Sequence, residues 1–174
     1  MVLVRWERIR HILCDVDGVL TEGILTYTAD GEQTKTFSAR DGHLIRVALR
    51  AGIGVGLVSG RRCAALANRA DDLGLSPCFL GVSDKRAVVA DWLAQTDGLD
   101  WEHLAFVGDD LPDLRLFGAV GCAVAVGDAA PRLRQCADLV TAAPGGRGAV
   151  GEFIERLLRR RGAWSPDEWG RVHG

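Results

Sequence analysis

Short apolar runs alternate along this chain with segments whose apolar positions recur every three or four residues. The runs at 9–14, 53–58, 78–80, 104–107, 122–126 and 139–140 read as strands. The segment 41–51, with Leu44, Val47, Ala48 and Ala51 on one side and Gly52 as its stop, reads as a helix. Further helices are predicted at 62–73, 85–95, 111–117, 130–136 and around 153–158. Two β-leaning stretches, 24–27 and 34–37, flank Ala29-Asp30-Gly31-Glu32 and predict a hairpin. Strand–helix alternation of this kind predicts an α/β fold, a parallel sheet with helices on both faces plus the small β-hairpin.

The polar residues that interrupt the apolar runs fall where such sheets bind ligands, beyond the carboxyl ends of strands. The first run ends in Asp15-Val16-Asp17-Gly18. An unpaired buried carboxylate costs several kcal/mol. Two of them need a cation, a shared proton or a chemical task, although Asp and Gly also serve as ordinary turn residues. Ser59-Gly60-Arg61 follows the second long run. Its hydroxyl and main-chain N–H groups suit a phosphate oxygen, and they equally suit a helix cap. Lys85 opens a predicted helix, where a cation opposes the macrodipole unless an anion sits beside it. Gly108-Asp109-Asp110-Leu111-Pro112-Asp113 places three acids within five residues, a pattern fit for Mg²⁺. Helix capping accounts for Asp110 but leaves Asp109 unexplained.

Composition narrows the picture only slightly. The length of 174 residues suits one domain over 1–160 with a tail, 161–174, carrying Trp164, Pro166 and Trp169 and read as disordered. A formal charge of −2 gives no reason to expect nucleic acid or a membrane surface as partner. Arginine dominates the cations, and Lys35 and Lys85 are the only lysines. Five scattered cysteines without a CxxC pair argue against a disulfide framework, and most are expected as small core residues in a reducing, cytoplasmic setting. The first ten residues lack the apolar core of a signal peptide.

Taken in order, Asp15–Thr21, Ser59-Gly60, Lys85 and Gly108–Asp113 resemble the four motifs of the haloacid dehalogenase superfamily of aspartate-nucleophile phosphatases. Three further stretches resemble its subfamily of 3-deoxy-D-manno-octulosonate 8-phosphate (KDO 8-phosphate) phosphatases. They are Lys35-Thr36-Phe37 with Arg40-Asp41-Gly42, the stretch 59–69 with Arg61 and Arg69, and 145–150. The resemblance implies a Rossmann-like fold and a Mg²⁺ cofactor. It implies Asp15 as nucleophile and Asp17 as acid and base. Asp15, the Asp17 carbonyl and Asp109 would hold the metal, and Ser59, Gly60 and Lys85 would hold phosphate. Asp110 and Asp113 would support them. Arg61 and Arg69, on the loop and helix that begin after Ser59, are expected to bind the substrate carboxylate, their spacing of eight residues being taken to place them within about 40° of each other on an ideal helix. The intervals 18–58 and 60–84 leave no room for a cap domain, and the resemblance implies a homotetramer that meets through the 24–37 hairpin. A phosphatase for a nonulosonate 9-phosphate is the alternative within enzymes. Arg61 and Asp72 speak against it, since such relatives tend to carry Glu and Lys at those positions. A non-catalytic phospho-acceptor or regulatory domain is the alternative of another class. Two departures stand out: Leu44 and Gly151 occupy positions where the subfamily usually has Gly and Arg. Both are expected near the substrate or a neighbouring subunit.

Overall fold

The computed structural model describes residues 4–31, 33–165 and 167. In chain order the elements are β1 (His11–Cys14), β2 (Thr26–Tyr27), β3 (Gln33–Thr34), α1 (Ala39–Arg50), β4 (Gly54–Ser59) and α2 (Ala64–Leu73). Then come β5 (Cys78–Leu80), α3 (Lys85–Ala94), β6 (Leu104–Gly108), α4 (Leu114–Phe117), β7 (Cys122–Ala125), α5 (Pro131–Cys136), β8 (Leu139–Val140) and α6 (Ala149–Arg160). Six strands form one parallel sheet in the order β5-β4-β1-β6-β7-β8, and β2 and β3 pair separately as an antiparallel hairpin. Parallel strands covered on both faces must be apolar throughout. Ile12, Leu13 and Cys14 of β1 and every residue of β6 are accordingly buried.

The chain runs outward from β1 through β4 to β5, then returns and runs the other way through β6, β7 and β8. Right-handed crossovers therefore put α1 and α2 on one face and α3, α4 and α5 on the other. Contacts agree: α1 packs on α2 and α6, and α4 packs on α3 and α5. The reversal leaves a switch point beside β1, where open α/β sheets place their ligands.

The predicted elements all form, most with shifted ends. The hairpin strands shrink to two residues each, so most of the 24–37 stretch is irregular. The predicted helix at 111–117 begins as a 3₁₀ turn, Leu111–Asp113, and a 3₁₀ turn at Trp6–Arg8 precedes β1. The expectation that most cysteines lie in the core fails: only Cys14 and Cys122 are buried, and all five are free thiols. Trp164 packs against the core under the Arg159 guanidinium, 5.2 Å from the ring centroid. Of the other residues singled out above, Glu32, Pro166 and Trp169 lie outside the described residues.

The two departures at Leu44 and Gly151 prove to be one feature. A Cβ built on Gly151 would stand 3.5 Å from the Leu44 side chain and 3.2 Å from Asp41 Oδ1. Positions 44 on α1 and 151 on α6 are therefore neighbours, in ordinary van der Waals contact. Asp41, buried at the start of α1, accepts hydrogen bonds from the main-chain N–H groups of Gly148 (3.1 Å) and Gly151 (2.7 Å). It thereby caps the N-terminus of α6 from another helix.

Candidate active site

Strand register brings the separate motifs to one line. Cys14 pairs with Leu57 on one side and Val107 on the other. Asp15 extends the ladder by donating its N–H to the Val107 carbonyl at 2.9 Å. The residues that follow each strand therefore emerge at one level. Asp15, Asp17, Ser59, Gly60, Arg61, Lys85, Asp109 and Asp110 line a single cleft of about 300 Å³, together with Gly23 and Pro112. Gly18 is forced at the turn after Asp17: its φ is +83°, and a Cβ there would lie 2.0 Å from the Asp109 carboxylate. Gly145 supports this turn from below, since a Cβ on it would meet the Gly18 carbonyl oxygen at 1.7 Å. The neighbouring Gly146 donates to the Val19 carbonyl (2.8 Å), and Gly145 itself donates to Asp128 (2.9 Å).

Lys85, the first residue of α3, ends between two carboxylates, 2.7 Å from Asp15 and 2.8 Å from Asp113. Those anions resolve the unfavourable placement of a cation at a helix N-terminus. Burial alone would lower its pKa; Asp15 and Asp113 outweigh that and hold the ammonium above its ordinary value. Asp113 is fully committed, because its other oxygen accepts the Asp109 N–H at 3.0 Å and it is 1% exposed. Asp110 caps the 3₁₀ turn by accepting the Leu111 N–H at 2.8 Å. The Ser59 hydroxyl oxygen accepts the Arg61 N–H at 3.2 Å, which orders the loop that follows β4.

The carboxylates crowd one another. Oxygens of Asp15, Asp109 and Asp113 lie within 4.8 Å of one another. Burial, and then the negative charges of Asp15, Asp113 and Asp110, push the Asp109 carboxyl up to about 7. Burial and Asp113 likewise raise Asp15, against the opposing pull of Lys85. Such a set of oxygens suits a hard divalent cation, whose charge would relieve the repulsion. Asp15 and Asp113 are alike in pairing with Lys85 and in accepting a main-chain N–H, from Val16 (2.7 Å) and Asp109 (3.0 Å) respectively, so the three carboxylates together form the candidate metal site.

Asp17 stands apart electrostatically. One oxygen accepts a hydrogen bond from the Lys35 ammonium and the other lies 3.3 Å from Arg61 Nε. The Lys35 contact was not foreseen, although the rarity of lysine and the subfamily-like Lys35-Thr36-Phe37 stretch both marked the residue.

Arg69 does not join the cleft. Its guanidinium donates to Asp72 (2.9 Å) and to the Ser38 carbonyl (3.3 Å), and lies 5.7 Å from the Phe37 ring centroid. Arg61 lies before α2 as expected, but the expected separation of about 40° is wrong, since eight residues turn an ideal helix by about 80°.

Comparisons with known proteins agree with this geometry. Residues 81–154 match the haloacid dehalogenase-like hydrolase family. The KDO 8-phosphate phosphatase KdsC of Yersinia pestis is 41% identical over 157 residues, covering 90% of this chain and 83% of that one. This chain belongs to the KDO 8-phosphate phosphatase family. The crystal structure of the Yersinia pestis phosphatase superimposes with a TM-score of 0.88 at 39% identity, over 91% of this chain and 85% of that one. A second family structure, from Moraxella catarrhalis, holds a magnesium ion, a phosphate ion and KDO. It is 32% identical, covers 88% of each chain and superimposes with a TM-score of 0.85. Family membership brings the fold class with it: a Rossmann-like parallel sheet with one small hairpin.

Proposed function

We propose that this protein is a Mg²⁺-dependent phosphatase that hydrolyses KDO 8-phosphate to KDO and phosphate through an aspartyl-phosphate on Asp15. The observation that carries the reading is the Asp15 carboxylate held 2.7 Å from Lys85 at the sheet's switch point, with Asp109 beside it in the same cleft. Identity of 41% to a KDO 8-phosphate phosphatase supports the substrate, and the magnesium, phosphate and KDO of the Moraxella relative support the cofactor.

In this mechanism an Asp15 oxygen bonds to phosphorus as the bond from phosphorus to the sugar oxygen breaks. Asp17, entering this step protonated, delivers its proton to that departing oxygen and is left as a carboxylate. Water then attacks the phosphorus, Asp17 takes its proton, and the electron pair of the broken phosphorus–Asp15 bond returns to Asp15. Lys85 and the main-chain N–H groups at Ser59-Gly60 bind the phosphoryl oxygens, where charge must be held through both steps. Asp15, Asp109 and the Asp17 carbonyl would hold Mg²⁺, which when bound neutralises the repulsion between a carboxylate and a phosphate dianion. Arg61, half exposed at the cleft, offers the free end of its guanidinium fork to the substrate carboxylate. Arg69 serves from a distance by holding the Ser38 carbonyl and the Phe37 ring. Residues 1–160 act as one catalytic domain.

We also propose that the protein works in the cytoplasm as a homotetramer assembled through the 24–37 hairpin. No helix among the described residues is long and apolar enough to cross a membrane. The hairpin exposes Ile24 (69%), Leu25 and Tyr27 (55%) to solvent, and an apolar hairpin standing alone is marginal in water.

The deciding experiment is a phosphate-release assay on KDO 8-phosphate with purified protein. Turnover is expected with Mg²⁺, none in EDTA, and recovery when Mg²⁺ is restored. Full turnover in chelator, with metal content verified as nil, overturns the mechanism. Turnover of other sugar phosphates in preference to KDO 8-phosphate overturns only the substrate.

A further inference from the structure

Both lysines of the chain pair with carboxylates of the cleft, and each meets a different one of the two neighbouring aspartates. Lys85 belongs to the phosphate site already described. Lys35 comes from elsewhere: it directly follows β3, at the foot of the hairpin. Its side chain is 2% exposed and its ammonium donates to Asp17. An ammonium withdrawn from water costs several kcal/mol unless it is paired, so this burial needs the aspartate. The leg of chain that carries Lys35 is itself anchored. Phe37 lies under the Arg69 guanidinium, the Ser38 carbonyl accepts from Arg69, and the Ser38 hydroxyl caps α1 by accepting the Asp41 N–H at 3.2 Å.

We infer that Lys35 is the positioning residue for Asp17, through which the anchored hairpin leg sets the acid–base step. The inference rests on the proposed reading of Asp17 as the group that moves protons. A carboxylate on a short side chain at a turn has several orientations open to it. Lys35 removes that freedom by gripping one oxygen, while Arg61, more exposed, meets the other. Proton transfer to a leaving oxygen demands hydrogen-bond reach, so a loss of orientation falls on the proton-transfer step and spares phosphate binding. Lysine fits this place because a compact charge on a flexible stem can be threaded under the hairpin, whereas a planar guanidinium fork needs more room.

The test compares leaving groups. An alkyl phosphate such as KDO 8-phosphate needs its departing oxygen protonated; p-nitrophenyl phosphate does not. In Lys35→Met, kcat/KM on the alkyl ester is expected to fall about 10- to 100-fold, against less than about threefold on the aryl ester, with KM for phosphate esters little changed. Asp17→Asn should show the same contrast more strongly, and Lys35→Arg should recover part of the loss. Equal losses on both esters, or no loss while Asp17→Asn shows the contrast, overturn the inference. An absent contrast in Asp17→Asn overturns the reading of Asp17 and the inference with it. Circular dichroism checks the fold of each variant. If the methionine protein does not fold, Lys35→Gln carries the same comparison, with the same outcomes.

Discussion

Asp15 and Asp17 stand two residues apart, yet different cations hold them. Asp15 shares Lys85 with Asp113 and is pressed against Asp109. Asp17 is matched by Lys35 and Arg61. The first environment is short of positive charge and calls for a metal; the second is already neutralised. Replacing Asp15 by Asn should therefore abolish turnover by at least about 10³-fold, because an amide does not attack phosphorus. In chelator the same variant should melt no lower than the parent, because it relieves the repulsion that raises the Asp109 carboxyl. Asp17→Asn should also be severe, through loss of proton transfer. Phosphate release and thermal melts check these outcomes, and near-normal turnover of Asp15→Asn sinks the mechanism. A second residue-scale prediction concerns His11. Its ring packs edge-on to Trp92, 5.0 Å between centroids, and its Nε2 meets the Ser76 carbonyl at 2.8 Å. Burial, partly offset by that carbonyl, lowers its pKa below the ordinary 6.5. The folded state then binds fewer protons at this site than the unfolded state. The stability it contributes is complete above pH 6.5 and is lost as pH falls from there toward the folded pKa. Melting between pH 7.5 and 5.5 should drop more steeply for the parent than for His11→Gln.

Among the elements, α1 and α6 form a helix pair whose contact is tuned by Leu44 and Gly151. Gly151→Arg alone should destabilise the fold by about 1–3 kcal/mol, because the new Cβ would stand 3.2 Å from Asp41 Oδ1 and the long side chain beyond it must pass Leu44. Adding Leu44→Gly should recover part of that loss, with a coupling of about 1 kcal/mol in a four-variant denaturation cycle. Strictly additive costs would show that the two positions are independent. Both departures were visible in the sequence as separate oddities. Their meeting was not, because α1 and α6 are joined by most of the chain and only packing brings position 44 onto position 151. Elements were legible where periodicity was strong: β5 and β8 begin and end where expected. The hairpin strands were overextended because Ile24, Leu25 and Phe37 have strand propensity but no ladder partner among the described residues.

For the whole molecule, the exposed Ile24, Leu25 and Tyr27 make assembly the sharpest prediction. Sedimentation at micromolar concentration should report a tetramer, and Ile24→Asp with Tyr27→Asp should shift it toward smaller species. A fully active monomer counts decisively against hairpin-mediated assembly. The sequence by itself determined the α/β architecture and pointed to the cleft's principal groups, because short apolar runs alternating with helix-period segments and ending in Asp15, Ser59 and Asp109 fit buried parallel strands with polar ends. It also carried the motif order by which the family was recognised. Only the tertiary structure decided which charge answers which. That Asp113 belongs to Lys85, that Lys35 rather than a second arginine answers Asp17, and that Arg69 turns away from the cleft are consequences of side-chain packing. Strand pattern is local and periodic, so one-dimensional spacing encodes it. Ion pairing at short range depends on where unrelated loops arrive in three dimensions, and burial makes each such pairing strict, since an unmatched charge inside the protein is too costly to leave.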